Sequence, residues 1–346
     1  MSSTLLADAT VLANSSISFD VSDVIHQFWR LTVDGLAYGS IYALVAVGYT
    51  LVYGVLRLIN FAHSEIFMVG MFGQYVGLMA LGFSPSGNVY SEGVVLTVIY
   101  LFVAMVIGML VSGGAAVGLE RIAYRPLRKR GAKPLIFLIT AIGMSFVLQE
   151  FVHYVLPKLS GSKLGGTNAQ QPIRLVQPTE QFSIFGAPVT NVTIVIIVAA
   201  IVLAAITEIL INRTKFGRGI RAVAQDPDTA TLMGVSRERI IMTTFLLGGL
   251  LAGAASMLYT LQIPNGIIYS GGFILGIKAF SAAVLGGIGN LRGALLGGLL
   301  LGLAENYGQI LFGTQWRDVV AFVVLVAVLM IRPTGILGES LGRARV

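Results

Sequence analysis

Nine apolar runs decide what this chain can become. They fall near residues 35–56, 59–82, 94–119, 134–156, 188–210, 240–262, 272–290, 293–312 and 317–331. At about 16 to 26 residues each, they are long enough for a tilted or slightly short crossing of a bilayer. Backbone in hydrocarbon must satisfy its hydrogen bonds internally, so runs of this length are read as helices. The expectation is an all-α polytopic membrane protein with about 8–10 transmembrane helices, some of them broken or re-entrant. The second and seventh runs are the irregular ones, because "INFAHSEIF" and "LGGIGNLRG" put polar or glycine-rich backbone near membrane depth. Such backbone persists where it is buried in protein or faces a water-filled cavity.

Composition narrows the class further. Of the 346 residues, 55% are hydrophobic and only 11% charged, and the mean hydropathy is +0.84. The 42 glycines suit helices that pack closely in lipid. There is no cysteine, and His26, His63 and His153 stand far apart, so disulfides, thiolate sites and a metal cluster are not expected. A net charge of +7 would point to nucleic acid in a soluble protein. Here the positions of the basic residues carry the meaning, and they mark the cytoplasmic side.

Six Lys or Arg lie in "ERIAYRPLRKRGAK", six more in the loop 213–239, and Arg332, Arg343 and Arg345 near the C-terminus. Nine spans put all three groups on one side, which places the N-terminus outside and the C-terminus in the cytoplasm. The long loop 157–187, with only Lys158, Lys163 and Arg174, then lies outside. Residues 1–34 read as an N-terminal extension: Phe19, Val21, Val24, Ile25, Phe28 and Trp29 share one side of an amphipathic interfacial helix. Residues 35–335 form the membrane domain and 336–346 a cytoplasmic tail.

The loop 213–239 interrupts the oily sequence with "GRGIRAVAQDPDTATLMGVSRERI". Ile220, Val223 and Ala224, then Ala230, Met233 and Gly234, recur at helical spacing on either side of Pro227, predicting two short helices joined at "DPD". Asp226 or Asp228 is placed to cap the second helix. An apolar stripe on cytosolic helices is expected to be covered by a partner.

Charged groups inside spans are costly and mark functional candidates. Asn60, His63 and Glu65 cluster in "INFAHSEIF" and are candidates to line a pathway or to satisfy one another at a broken helix. Lys278 and Glu305 lie six and seven residues in from the outer ends of consecutive spans. Their depths therefore differ by only about 1.5 Å, and an intramembrane ion pair is predicted. Gly293, Gly297, Gly298 and Gly302 have the four-residue spacing that lets helix backbones approach.

"DTATLMG" resembles the Glu-Ala-Ala-x-x-x-Gly element of ABC importer permeases, with Asp228 at the acid, Thr229 and Ala230 at the alanines and Gly234 at the glycine; the downstream Ile-x-Leu-Pro part is absent. Together with "GSIYALVAVGYTLVYGVLRLINFAHSEIFMVG", "ERIAYRPLR", "LITAIGMS" and "KAFSAAVLGGIGNLRGALLGGLLLGLAE", the chain resembles the LivH-type permeases of branched-chain amino-acid ABC importers over roughly residues 35–335. The resemblance implies an ABC importer permease fold in a bacterial plasma membrane. It implies pairing with a second related permease, two cytosolic ATPase subunits and an extracytoplasmic substrate-binding protein. It also makes 213–239 a coupling loop, with Arg218, Arg221, Asp226, Asp228, Ala230 and Gly234 as the contact candidates.

No Gly-x-x-x-x-Gly-Lys-Ser/Thr phosphate loop occurs in the sequence, so ATP is expected to be bound by partner subunits, with no cofactor in this chain and no catalytic residue. Two alternatives remain open at this stage. One is a related permease for urea, short amides or other amino acids. The other is an ion-coupled secondary transporter that works through Glu65, Lys278 and Glu305 without an ATPase.

Overall fold

The computed structural model describes residues 21–82, 94–159, 176–263 and 267–338. A short helix α1 (Val21–His26) leads into α2 (Phe28–Leu56), followed by α3 (His63–Ala80) and α4 (Val94–Leu119). A π-helical turn, Glu120–Tyr124, joins α4 to α5 (Arg125–Lys129). Next come α6 (Pro134–Glu150), a second π turn at Phe151–Val155, and α7 (Leu156–Leu159). A hairpin of β1 (Glu180–Ile184) and β2 (Ala187–Thr190) precedes α8 (Asn191–Arg213), α9 (Lys215–Gln225), α10 (Pro227–Leu232) and α11 (Arg237–Gln262). The bundle closes with α12 (Gly271–Gly286), α13 (Leu291–Phe312) and α14 (Arg317–Ile331).

Among the described residues, each of the nine runs carries a helix, and these pass back and forth through one bundle. Seven helical stretches are long and apolar enough to cross a membrane by length and composition. The two outside that set are α3, which carries His63, Ser64, Glu65 and Gln74, and α12, which has only 16 residues.

Three sequence expectations are adjusted. The boundary at residue 34 falls inside α2, a continuous 29-residue helix, because nothing between Phe28 and Leu56 breaks it; Phe28 and Trp29 belong to that helix and not to an interfacial one. Phe19 lies outside the described residues. The loop 157–187 is not wholly irregular. Its end enters a β-hairpin, turned by Phe185 and Gly186 at φ 47° and 84°, both in the left-handed region that a tight hairpin turn needs. Trp29 stacks on Phe185 with ring centroids 4.6 Å apart, tying this hairpin to the start of α2. Finally, "LGGIGNLRG" is a turn between helices rather than a break within one. Helix α12 ends at Gly286, Gly287 and Gly289 take φ 108° and 96°, and Asn290 caps α13 by accepting from the Arg292 and Gly293 amides.

Helix α2 is the core of the bundle, enclosed along most of its length. Its glycine face meets α13, where a Cβ on Gly298 would collide with the backbone of Ala43 and one on Gly302 with the backbone of Gly39. Gly293 and Gly297 do the same for α13 against the end of α12. The small residues thus serve packing within this chain. Segment 332–338 returns to the α12–α13 turn, where the Ile336 and Leu337 amides donate to the Leu285 and Gly286 carbonyls, both at 2.9 Å. The faces left uncovered belong to α4, α6, α8 and α14.

Candidate functional site

Three polar features stand out against the apolar bundle, and all grow from helix ends or breaks. The first is the paired helices α9 and α10. Thr214 caps α9, its hydroxyl accepting from Gly217 N at 3.2 Å and donating to Leu210 O at 2.5 Å. Gly217 lies so close to the Ile211 carbonyl that no Cβ fits there. Arg221 folds back and donates to Ile211 O at 2.6 Å. Asp226 caps α10, accepting from the amides of Asp228 and Thr229 at 3.0 and 3.1 Å and from the Thr229 hydroxyl at 2.5 Å. The Thr229 hydroxyl and the two amides hold the Asp226 carboxyl below the usual carboxylate range. Gly234, at φ 83°, ends α10 in a left-handed turn.

The apolar stripe faces the other way from what the sequence led us to expect. Ile220, Val223 and Ala230 are buried against the chain's own spans, so they need no outside partner. What the pair presents to solvent is Leu232 and Met233, 88% and 80% exposed, with Arg218 and Asp228 also exposed. Met233 was in the sequence-derived stripe; Leu232 was not, since one residue's rotation about a short helix decides between inside and outside. Of the contact candidates, all but the buried Ala230 keep exposed surface, and Arg218 and Asp228 are the two whose side chains have no part in building the pair. Arg221, Asp226, Ala230 and Gly234 build the pair itself.

One hydrogen bond holds the pair to the end of α2, and ion pairs tie together the elements beside it. Arg57, left-handed at φ 53°, donates to Ala224 O at 2.9 Å. Glu120, fully buried at the π turn, pairs with Arg125 at 3.0 Å and Arg128 at 2.8 Å. Glu238 at the start of α11 meets the same two arginines at 3.1 and 2.8 Å. In the sequence these arginines carry only a topological meaning, as a basic loop; one partner, Glu120, lies in the adjoining turn and the other, Glu238, comes from a distant element.

The second feature surrounds the α2–α3 break. Asn60 accepts from the Tyr124 hydroxyl at 2.8 Å, Ser64 donates to Phe61 O at 2.7 Å, and Ser145 donates to Glu65 Oε1 at 3.3 Å. His63 packs edge-on to Tyr49 with centroids 4.7 Å apart. Asn60 Nδ2, His63 Nε2, Glu65 Oε2 and Thr50 Oγ1 are buried without a hydrogen-bond partner among the described residues. Buried polar atoms are rarely left so, and a run of them marks where water or a polar solute belongs. A cavity of about 10 Å³ lies beside Thr50 and Asn60, room for about one water.

The third feature lies at the opposite end of the bundle. Lys278 Nζ sits 3.1 Å from Glu305 Oε1, so the structure brings these two residues together. It also adds two residues that depth arithmetic on two spans did not include. Asp318 meets Lys278 at 2.6 Å and Arg317 donates to Glu305 Oε2 at 3.1 Å, both from the start of α14. Tyr42 donates to the same oxygen at 2.8 Å, and the Arg317 guanidinium lies 4.3 Å over the Tyr38 ring. The result is a balanced network of two cations and two anions in which Glu305 is fully buried. Among the described residues no cluster of His, Cys, Asp and Glu could hold a metal ion.

A bundle of membrane-length helices, with unsatisfied polar atoms at its centre and a solvent-facing helix pair at one end, defines a multi-pass membrane transport protein. A family model described as the branched-chain amino acid transport system permease component matches residues 31–329. The chain is 40% identical over 320 residues to the high-affinity branched-chain amino acid transport system permease protein BraD of Pseudomonas aeruginosa, covering 91% of this chain and 97% of that one. It is 38% identical over 323 residues to the corresponding protein LivH of Salmonella typhimurium, covering 92% and 98%. The chain belongs to the branched-chain amino acid transport system permease component family. It is a permease component and not an enzyme.

Proposed function

We propose that this chain is the channel-forming subunit of an ATP-driven importer of branched-chain amino acids in a bacterial plasma membrane. It pairs with a second, related permease, rests on two cytosolic ATPase subunits and receives solute from an extracytoplasmic binding protein. ATP is bound by the partner subunits. The N-terminus faces out, and α9 and α10 face the cytosol. The substrate follows the named relatives; urea, short amides and other amino acids are the neighbouring possibilities within the same architecture.

The observation that carries the proposal is the capped α9–α10 pair, which offers Leu232 and Met233 to solvent from a base of hydrogen bonds. A rigid knob transmits a partner's closure to the spans, and energy reaches the pathway only if the partner contacts the two states differently. The ion-coupled alternative loses part of its footing, since Lys278 and Glu305 are occupied by Asp318 and Arg317. Glu65 remains available to it.

The test is co-purification of the detergent-solubilised chain, wild type against Leu232→Glu/Met233→Glu. An ATPase and a second permease should accompany the wild type, and the double variant should lose the ATPase while keeping the permease. Ala230→Arg and Gly234→Arg are poor probes, because they would damage the pair itself. Retention of the ATPase by the double variant would overturn the docking assignment. Solute uptake by the lone chain in liposomes, without ATP, would replace the whole reading with the ion-coupled one.

A further inference from the structure

At the α9–α10 end of the bundle, a cavity of about 430 Å³ opens between the end of α2, the turn before α6 and the inner side of the helix pair. Its walls are of two kinds. Leu58, Pro134 and Phe137 supply apolar surface from the spans, and Arg57, Arg128 and Arg237 supply guanidinium groups from three separate elements. No carboxylate is among the residues that line it.

Each arginine is anchored by only part of its guanidinium. Arg57 spends Nη2 on Ala224 O. Arg128 spends Nη2 on Glu120 and Glu238, while its Nε and Nη1 have no partner even though the side chain is only 9% exposed. Arg237 approaches Asp228 no closer than 3.9 Å, and its Nε is buried without a partner. Buried donors without acceptors are rare in folded proteins. Here three arginine side chains, Arg57, Arg128 and Arg237, border one space that no carboxylate borders.

A planar guanidinium fork matches the oxygens of a phosphate group, and three forks from different directions match a group with several oxygens. The apolar walls and the position at the end of the bundle fit the headgroup layer of a bilayer leaflet, where basic pockets between spans take acidic lipids. We propose that this cavity is an anion site that takes a phosphate group, supplied by an acidic lipid headgroup or by free phosphate. The proposal does not depend on the substrate or partners assigned above.

The full-length chain in detergent is assayed in two arms. Native mass spectrometry measures retention of phosphatidylglycerol and of phosphatidylcholine, and thermal melting is followed against inorganic phosphate. Three proteins are compared: wild type, Arg57→Gln/Arg237→Gln, and Ala132→Trp, which fills the cavity while leaving every arginine in place. Wild type should retain phosphatidylglycerol at least tenfold over phosphatidylcholine, or melt several degrees higher with phosphate, and both variants should lose the effect. A lipid response alone assigns the headgroup as the source, and a phosphate response alone assigns the free anion. Failure of wild type in both arms, or an undiminished response in Ala132→Trp, overturns the proposal.

Discussion

Glu305 is the residue on which the network at the far end turns, because it faces two cations at once: Lys278 at 3.1 Å and Arg317 at 3.1 Å. Removing one member of a buried pair leaves an uncompensated charge and costs about 3–5 kcal/mol. Glu305→Ala should therefore destabilise the folded chain by about that amount, read as thermal melting in detergent. Lys278→Met should cost less than half as much, since Glu305 keeps Arg317 and Tyr42, and the released Asp318 is 49% exposed. Equal losses would mean that Arg317 contributes little. At the other end, Asp226 has a carboxyl held below its ordinary range. A group depressed on folding adds stability that is complete above its unfolded value, about 3.9, and is lost as pH falls through the lower folded value. The α10 cap should then persist through mildly acid conditions. Asp226→Asn, which keeps the acceptor, should leave limited trypsin cleavage around Arg218 and Arg237 unchanged, whereas Asp226→Ala should speed it. No difference between the two substitutions would remove the capping assignment.

Among the elements, the α2–α13 crossing and the α9–α10 pair show what sequence does and does not make visible. The glycine spacing on α13 was legible, as were the two short helices around Pro227, because both follow from periodicity and backbone chemistry. Lys278 and Glu305 were legible as neighbours because depth along consecutive spans is simple arithmetic. The direction of the apolar stripe was not, since periodicity gives a helix a face and leaves its neighbour undetermined. Glu120 was invisible for a related reason. Its burial depends on the π turn, which shifts the register of α4 without a distinctive sequence signature. The crossing itself yields a contrast. Gly298→Ala puts a methyl against the Ala43 backbone and should cost about 1–3 kcal/mol. Gly54→Ala, in α2 with nothing within 4 Å, should be neutral or stabilise by up to about 1 kcal/mol. Comparable melting temperatures for the two variants would count against tight packing at the crossing.

Taken whole, the molecule sets its polar groups at three levels. Charge networks sit at both ends, and unsatisfied polar atoms lie between them beside Thr50, Asn60, His63 and Glu65. If that middle carries solute or water, Glu65→Ala should cut transport at least tenfold in reconstituted vesicles while leaving partner co-purification intact. Transport at the wild-type rate would reduce the cluster to a local capping arrangement. The sequence located Asn60, His63 and Glu65 but not the cavity of about 10 Å³ beside Asn60, whose walls come from Tyr49 and Thr50 of α2 and Phe280 of α12.

The meeting of α2 and α13 also has a consequence in time. Tyr42 and Glu305 touch across 263 positions of chain, and the glycine face beside them is sealed by a helix made that much later. Helix α2 must therefore wait in the bilayer, with its most adhesive surface open, until α13 arrives. A weakened seam should then show itself first as slow maturation and early degradation of newborn chains, before any fault appears in those that finish.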